Sequence, residues 1–272
     1  MKTATTKKPV YSGSIDLPYT KGIITLFCKT TYKLFCIIMA ALAKLAGKAE
    51  ASGKAAADLV SCIWVVNHTD NKLEGLCSVS SSVCDNKLCS WRQKIKDCIC
   101  SHCYAQNQQS YKTGLKEHNI LNGLVLRNIL IPVSFFKKNL FICSKILRIE
   151  SFGDVANVTQ ARNYIRIIKA FPRKRCAIWS KNLLILEEAF RLEGKPKNTT
   201  FVFSSSFINK PAAIDRKRFS FVDHRFTVFD ADYIKRWNIK INCGGKKCMN
   251  CIKAKTNCYY HNDIFDIFEQ LK

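Results

Sequence analysis

The stretch Ile146–Lys181, ILRIESFGDVANVTQARNYIRIIKAFPRKRCAIWSK, decides the fold of this chain. It reads as a strand over Leu147–Ser151, a tight polar turn, an amphipathic helix and a second strand over Cys176–Ser180. Within it Ala161, Tyr164, Ile165 and Ile168 fall at i, i+3, i+4 and i+7, one face of an α-helix over Thr159–Phe171. Asn157 offers a capping side chain ahead of that helix, and Pro172 ends it.

Downstream the same alternation continues. A helix over Leu183–Leu192 is stopped by Gly194, and strands follow at Thr200–Ser205 and Phe226–Phe229, with a short helix through Tyr233–Trp237. The strand starts at 147, 176, 200 and 226 are 29, 24 and 26 residues apart. That is the length of a β/α crossover, and crossovers demand a parallel sheet. The central strands are nearly continuous apolar runs, as strands covered on both faces should be. Upstream, Leu76–Val83 is a short strand candidate, Cys84–Cys103 a compact cysteine-dense loop, and residues 106–145 are expected to be partly helical. The fold class is therefore α/β, with the main domain over residues 73–272.

Residues 1–72 form an N-terminal extension, partly helical by its alanine content between Gly22 and Cys62. Its apolar run Leu34–Ala43, LFCIIMAALA, is bracketed by Lys33 and Lys44. A bilayer span needs about 20 residues, so the expectation is a packed or surface-docking helix and no transmembrane segment. The first thirty residues carry no basic–apolar–small secretory pattern, and a cytoplasmic location is expected.

Polar residues recur at the carboxyl ends of the strands: Ser80–Ser82, Glu150–Ser151, Ser180–Lys181, Ser204–Ser206 and Asp230. In parallel sheets that rim holds the ligand. The competing reading is that strands simply end in polar loops.

The chain has 15 cysteines, an odd number, arranged partly as C-x-x-C. That pattern suits metal ligation in a reducing compartment better than a disulfide framework. One set has Cys100 and Cys103 with Cys84, Cys89 and Cys98 nearby; Cys98 rivals Cys100 as a ligand. The other, Cys243, Cys248, Cys251 and Cys258, reads C-x4-C-x2-C-x6-C around Gly244 and Gly245. Thiolates at such spacings bind zinc or hold iron–sulfur clusters. Three ligands at the first set and four at the second would serve one reactive and one auxiliary cluster, and one zinc shared between the C-x-x-C pairs is the alternative. Cys28, Cys36, Cys62, Cys77, Cys143 and Cys176 read as buried small hydrophobes, and His102 as a solvated neighbour.

Lys and Arg outnumber Asp and Glu 44 to 20, a net charge of +24. Nucleic acid or another polyanion is the natural partner of such a surface, although the basic residues are spread along the chain, as they would be for solubility alone.

Several of these segments, in order, are CSHCYA at Cys100–Ala105, LRIESFGD at Leu147–Asp154, AIWSKN at Ala177–Asn182, FVFSSSF at Phe201–Phe207, FTVFD at Phe226–Asp230, and INCG with the cysteines that follow to Tyr260. Together they resemble the phage gene product 88 family, over about Leu73 to Tyr260. That family is in turn distantly similar to radical S-adenosylmethionine enzymes. The resemblance implies a partial parallel β/α barrel with one or two [4Fe–4S] clusters, S-adenosylmethionine as a cofactor, and an enzyme acting on nucleic acid or peptide in a phage or bacterial host. Cys103–Tyr104 matches the end of the cluster loop. Ser151, Gly153 and Asp154 match the glycine–acid motif that contacts the methionine amine, and Ser180 and Lys181 fall where the next strand meets the cofactor. From the resemblance together with the polar rim, Asp154 and Lys181 are the catalytic candidates, and Glu150, Ser151, Gly153, Ser180 and Ser204 the cofactor-binding ones, Glu150 and Ser204 by their place on the rim alone. Two departures stand out: the loop reads C-x-C-x-x-C, and the acid is Asp. The alternative function is a zinc-stabilised nucleic-acid-binding module without catalysis, against which the basic residues lack interleaved aromatics.

Overall fold

The computed structural model describes residues 61, 63–69, 71–111, 113–244, 247–255 and 258–271. The helices expected between Gly22 and Cys62, Leu34–Ala43 included, lie outside these residues. Two-residue strand β1 (Val66–Asn67) leads through a 3₁₀ turn (Asn71–Leu73) to β2 (Cys77–Val79). Then come α1 (Lys87–Arg92), a 3₁₀ turn (Ile99–His102), α2 (Tyr104–Tyr111), α3 (Thr113–Asn128) and α4 (Val133–Asn139). The regular part is β3 (Ile146–Ile149), α5 (Val158–Ala170), β4 (Arg175–Ser180), α6 (Leu183–Glu193), β5 (Thr199–Ser204), β6 (His224–Phe229) and α7 (Ala231–Trp237). Helix α8 (Cys248–Lys253) and strand β7 (Asp266–Gln270) close it.

The helix read from Ile146–Lys181 forms for the stated reasons. Asn157 Oδ1 accepts from Gln160 N at 2.9 Å, and Pro172 follows the C-cap Phe171. Its apolar face, including Ala161, Tyr164, Ile165 and Ile168, is fully buried. One carboxylate fastens α5 to α6: Glu193 receives Arg162 Nε and Arg166 Nε at 2.9 Å each, and Lys169 as well. Gly194 ends α6 at φ 72°, a conformation that costs glycine little.

The seven strands stand in chain order, β1 to β7. β1 runs antiparallel to β2, and β2 to β7 are parallel. Crossovers between parallel strands are right-handed, so a sheet that always steps the same way puts the regular crossover helices α5 and α6 on one face. A doubly wound sheet needs a reversal of strand order, and here there is none. The helix-covered face carries Leu147, Ile149, Cys176, Ile178 and Phe201, in register across β3, β4 and β5 and fully buried. Phe201 meets Phe190 of α6 edge-on, 6.2 Å between centroids. Burial of each such side chain contributes about 1.5–3 kcal/mol.

The opposite face is covered by the C-terminal cysteine segment. Leu76, Ile146 and Ala177 form a core cluster there with Ile252 and Tyr259, and Trp179, Cys248, Met249 and Cys258 pack against it. Thr200 Oγ1 donates to Cys258 O at 2.7 Å, pinning the segment to β5. Among the described residues no helix is long and apolar enough to cross a membrane.

Candidate metal centre

The first cysteine set lies along the carboxyl rim of the sheet. Cys98 bridges Phe207, just past the end of β5, and Ile99 N donates to Ser206 O at 2.9 Å. The loop's other end is tied to β3, where the Tyr104 hydroxyl donates to Ser151 O. Cys89 is buried on α1, and Asn86 caps that helix. Cys84 and Cys103 pack with Cys89 and Phe152 in one apolar cluster. The Cys98 thiol acts on the Cys100 thiol electrostatically, so the two rivals lie near one another.

Burial pushes the Cys100 thiol up to about 11 and the Cys89 thiol higher still, and the Lys181 ammonium opposes both shifts. Lys181 thus faces Cys89 and Cys100 from the end of β4. His102 is exposed.

The second set approaches from the other side. Cys243 N donates to Phe268 O on β7 at 2.9 Å. Cys248 and Cys251, three residues apart on α8, share a side of that helix. Burial raises Cys243 and Cys248 and pushes Cys258 up to about 12; Arg148 pulls against all three shifts and Lys72 against the first two. Lys72, in the electrostatic field of Cys243, also pairs with Glu269 at 2.5 Å.

Arg148 is therefore the cation of the second set. It projects from the middle of β3 onto the cysteine-covered face, its guanidinium 4.3 Å from the Trp179 ring centroid. Its electrostatic neighbours are Tyr259, Tyr104, Cys248 and Cys258, and no carboxylate among the described residues forms an ion pair with it. Although the side chain is half-buried, its Nε is sealed from solvent and finds no hydrogen-bond acceptor. Trp179 Nε1 and Ser151 Oγ are sealed and unpartnered too.

The non-cysteine candidates divide into two groups. Asp154, 4% exposed, is the hub of a closed network: Oδ1 accepts from Ser180 Oγ at 2.6 Å and Val155 N at 2.8 Å, and Oδ2 accepts from Arg92 Nη1 at 2.9 Å. Lys181 N lies 3.3 Å from both oxygens, and Arg92 Nη2 continues to Asn182 Oδ1 at 2.6 Å. Glu150 is turned toward the helices. Its backbone is left-handed, φ 60°, and the carboxylate accepts from Ser81 N and Oγ, Gln160 Nε2 and Tyr164 OH at 2.5–3.1 Å. Burial pushes its carboxyl up to about 7. Gly153 sits where a Cβ would come within 2.4 Å of Ser81 O, so only glycine lets the β2 and β3 ends approach this closely. Glu150, Gly153, Asp154 and Ser180 thus bind the rim together, whereas Ser151 Oγ is sealed there without a partner. Ser204 is buried at the end of β5.

Among the described residues, no group of three or more His, Cys, Asp or Glu side chains is drawn together closely enough to hold a metal ion as placed. The donor set nevertheless suits one chemically. Both clusters consist of thiols, and each faces a cation. Sequence reasoning missed Arg148, Arg92, Lys72 and Trp179. For Arg148 the signal was present: a charged residue inside the apolar strand ILRIE.

No family model, no curated protein and no solved structure matches this chain.

Proposed function

We propose that this chain is an iron–sulfur protein on a partial parallel β/α barrel of the radical S-adenosylmethionine type. Cys89, Cys103 and one or both of Cys98 and Cys100 would hold a [4Fe–4S] cluster at the rim. Cys243, Cys248, Cys251 and Cys258 would hold a second cluster over the sheet. The observation that carries this reading is Arg148: a guanidinium whose Nε is sealed from solvent and unpartnered, beside Tyr259, Tyr104, Cys248 and Cys258 and without a carboxylate partner among the described residues. Buried charges are compensated, and a metal–thiolate centre is anionic because coordination deprotonates the thiol. Burial alone keeps these thiols protonated, so metal binding and the charge balance of Arg148 are one event. The one-directional strand order, with α5 and α6 on one face, supports the barrel.

Such a cluster supplies one-electron chemistry, and with S-adenosylmethionine bound, radical chemistry. The chain's own residues position and enclose. Lys181 holds positive charge at the rim beside Cys89 and Cys100, and Asp154 fixes Lys181 through its backbone and Arg92 through an ion pair. Ser151 Oγ, at the rim past the end of β3, and Trp179 Nε1, on the cysteine-covered face, each have a hydrogen bond to offer. A zinc-stabilised nucleic-acid-binding module would satisfy Arg148 equally well. A structural staple, however, gives no reason for leaving Ser151 and Trp179 unpartnered.

Anaerobic reconstitution followed by iron, sulfide and zinc quantification tests this. Iron and sulfide bound at both sets are expected, with the charge-transfer colour of a cluster. Zinc alone would replace the clusters by a structural zinc site, as in the zinc-stabilised module, and a chain that takes up neither metal rules out both.

A further inference from the structure

The amino-terminal edge of the sheet, opposite the rim that carries Cys84–Cys103, has a recess of about 510 Å³. Five of its lining side chains are basic, Lys169, Arg173, Lys174, Arg175 and Lys197, and none is acidic. Three of the five already have work in the fold. Lys169 is paired with Glu193, Lys174 Nζ donates to Ser144 O at 2.7 Å, and Arg175 stacks on Tyr260 with its guanidinium 3.8 Å from the ring centroid. Arg173 and Lys197 are exposed. The two loops that carry them are held in place: Pro172 and Pro196 restrict the backbone, and Asn198 Nδ2 ties one loop to the other by donating to Lys174 O at 2.8 Å and Phe171 O at 3.3 Å. Two helices end here, and the negative ends of their dipoles account for some of the cations but not for the outward-facing pair.

We propose that this recess docks the phosphodiester backbone of a nucleic acid. Rigid loops presenting several cations around a concavity suit a chain of phosphates, and the surplus of 44 basic over 20 acidic residues steers such a polyanion. An anionic membrane fits less well. Surface docking needs exposed aromatic or aliphatic anchors, and none of the exposed large hydrophobic side chains among the described residues lines this recess. The site positions and does not read sequence, because no aromatic side chain lines it for bases to stack on. It stands apart from the thiols at the rim, so it does not depend on which metal they hold.

The test uses the full chain and fluorescent DNA and RNA oligonucleotides, single-stranded and duplex, titrated at several salt concentrations. The double variant Arg173→Glu/Lys197→Glu is compared with wild type and with a charge-matched control, Lys235→Glu/Arg236→Glu, on an exposed part of α7. Wild type should bind with affinity that falls steeply with salt. The recess variant should lose about tenfold or more, with the slope of log affinity against log salt shallower by about 1.5–2. The control should lose much less. Equal losses in the two variants, no binding by wild type, or a preference for phosphatidylserine vesicles over nucleic acid would each overturn the proposal. Circular dichroism checks the fold of each variant. Metal content, measured on the same samples, should be the same in all three, which separates this result from the fate of the cluster assignment.

Discussion

The guanidinium of Arg148 lies over the indole of Trp179, 4.3 Å from its centroid, on the face of the sheet that the C-terminal cysteines cover. A cation–π contact contributes about 0.5–2 kcal/mol but does not neutralise a charge. Cys248 and Cys258 stand in its field, and both need a metal to become thiolates.

Arg148→Met should therefore lower the metal bound per chain by the centre at Cys243–Cys258, while the rim centre stays loaded. Arg148→Lys, which keeps the charge, should retain part of it. Elemental analysis with iron spectroscopy on anaerobically prepared protein reads the difference. Full loading of Arg148→Met at both centres would refute the role given to this residue.

Asp154 and Arg92 form an ion pair at 2.9 Å with side chains only 6% and 12% exposed. Removing one partner of such a pair leaves the other uncompensated and costs about 3–5 kcal/mol. Asp154→Asn is isosteric and keeps an acceptor for Ser180 Oγ, so a loss of about 3 kcal/mol is expected in urea unfolding. If stability is unchanged while activity falls, Asp154 acts on a ligand and not on the rim.

Burial lifts the Glu150 carboxyl from the ordinary 4.5 to about 7. Between those values the unfolded chain releases its proton while the folded chain keeps it. The stabilisation is whole below pH 4.5 and is lost as pH rises through 7, about 3 kcal/mol in all. Glu150→Gln cannot titrate, so the difference in stability between wild type and variant should shift by that amount across this window, in the variant's favour as pH rises. A pH-independent difference would show that the carboxyl ionises normally.

The β/α rhythm was legible in the sequence because helix period and crossover spacing are local properties, and β3, α5, β4, α6 and β5 begin within two residues of where the pattern puts them. Strand β7 was not, because DIFEQ has no continuous apolar run; it is an edge strand with only Ile267 buried. Val66–Asn67, in the expected N-terminal extension, already pairs in the sheet. The rim of polar residues was legible as a row but not by role. Alternation along β3 would put Glu150 beside Arg148, yet its left-handed backbone turns it to Tyr164 and Gln160 of α5. Arg148 stood out by charge alone. Its partners come from a segment that folds over the sheet from far along the chain, which no local pattern reports.

Cys77 and Cys143 were read alike as small core residues, and the structure separates them. Their sulfurs are 3.4 Å apart, and both thiols donate to Asn67 Oδ1, at 2.9 and 3.1 Å. Cys77 is fully buried at the start of β2, and burial pushes its thiol up to about 11, whereas Cys143 is exposed. Alkylation follows the accessible thiolate. Iodoacetamide on the native, metal-loaded chain at neutral pH should therefore modify Cys143 well before Cys77, by at least tenfold in rate given the thiolate scarcity at Cys77. Tryptic mapping tells them apart, since Cys143 lies alone in the peptide Asn139–Lys145 while Cys77 shares Leu73–Lys87 with Cys84. Equal labelling of the two would mean that β2 opens to solvent at its first residue, contrary to the packing of Cys77 beneath the backbone N–H of Ser144 at 3.2 Å.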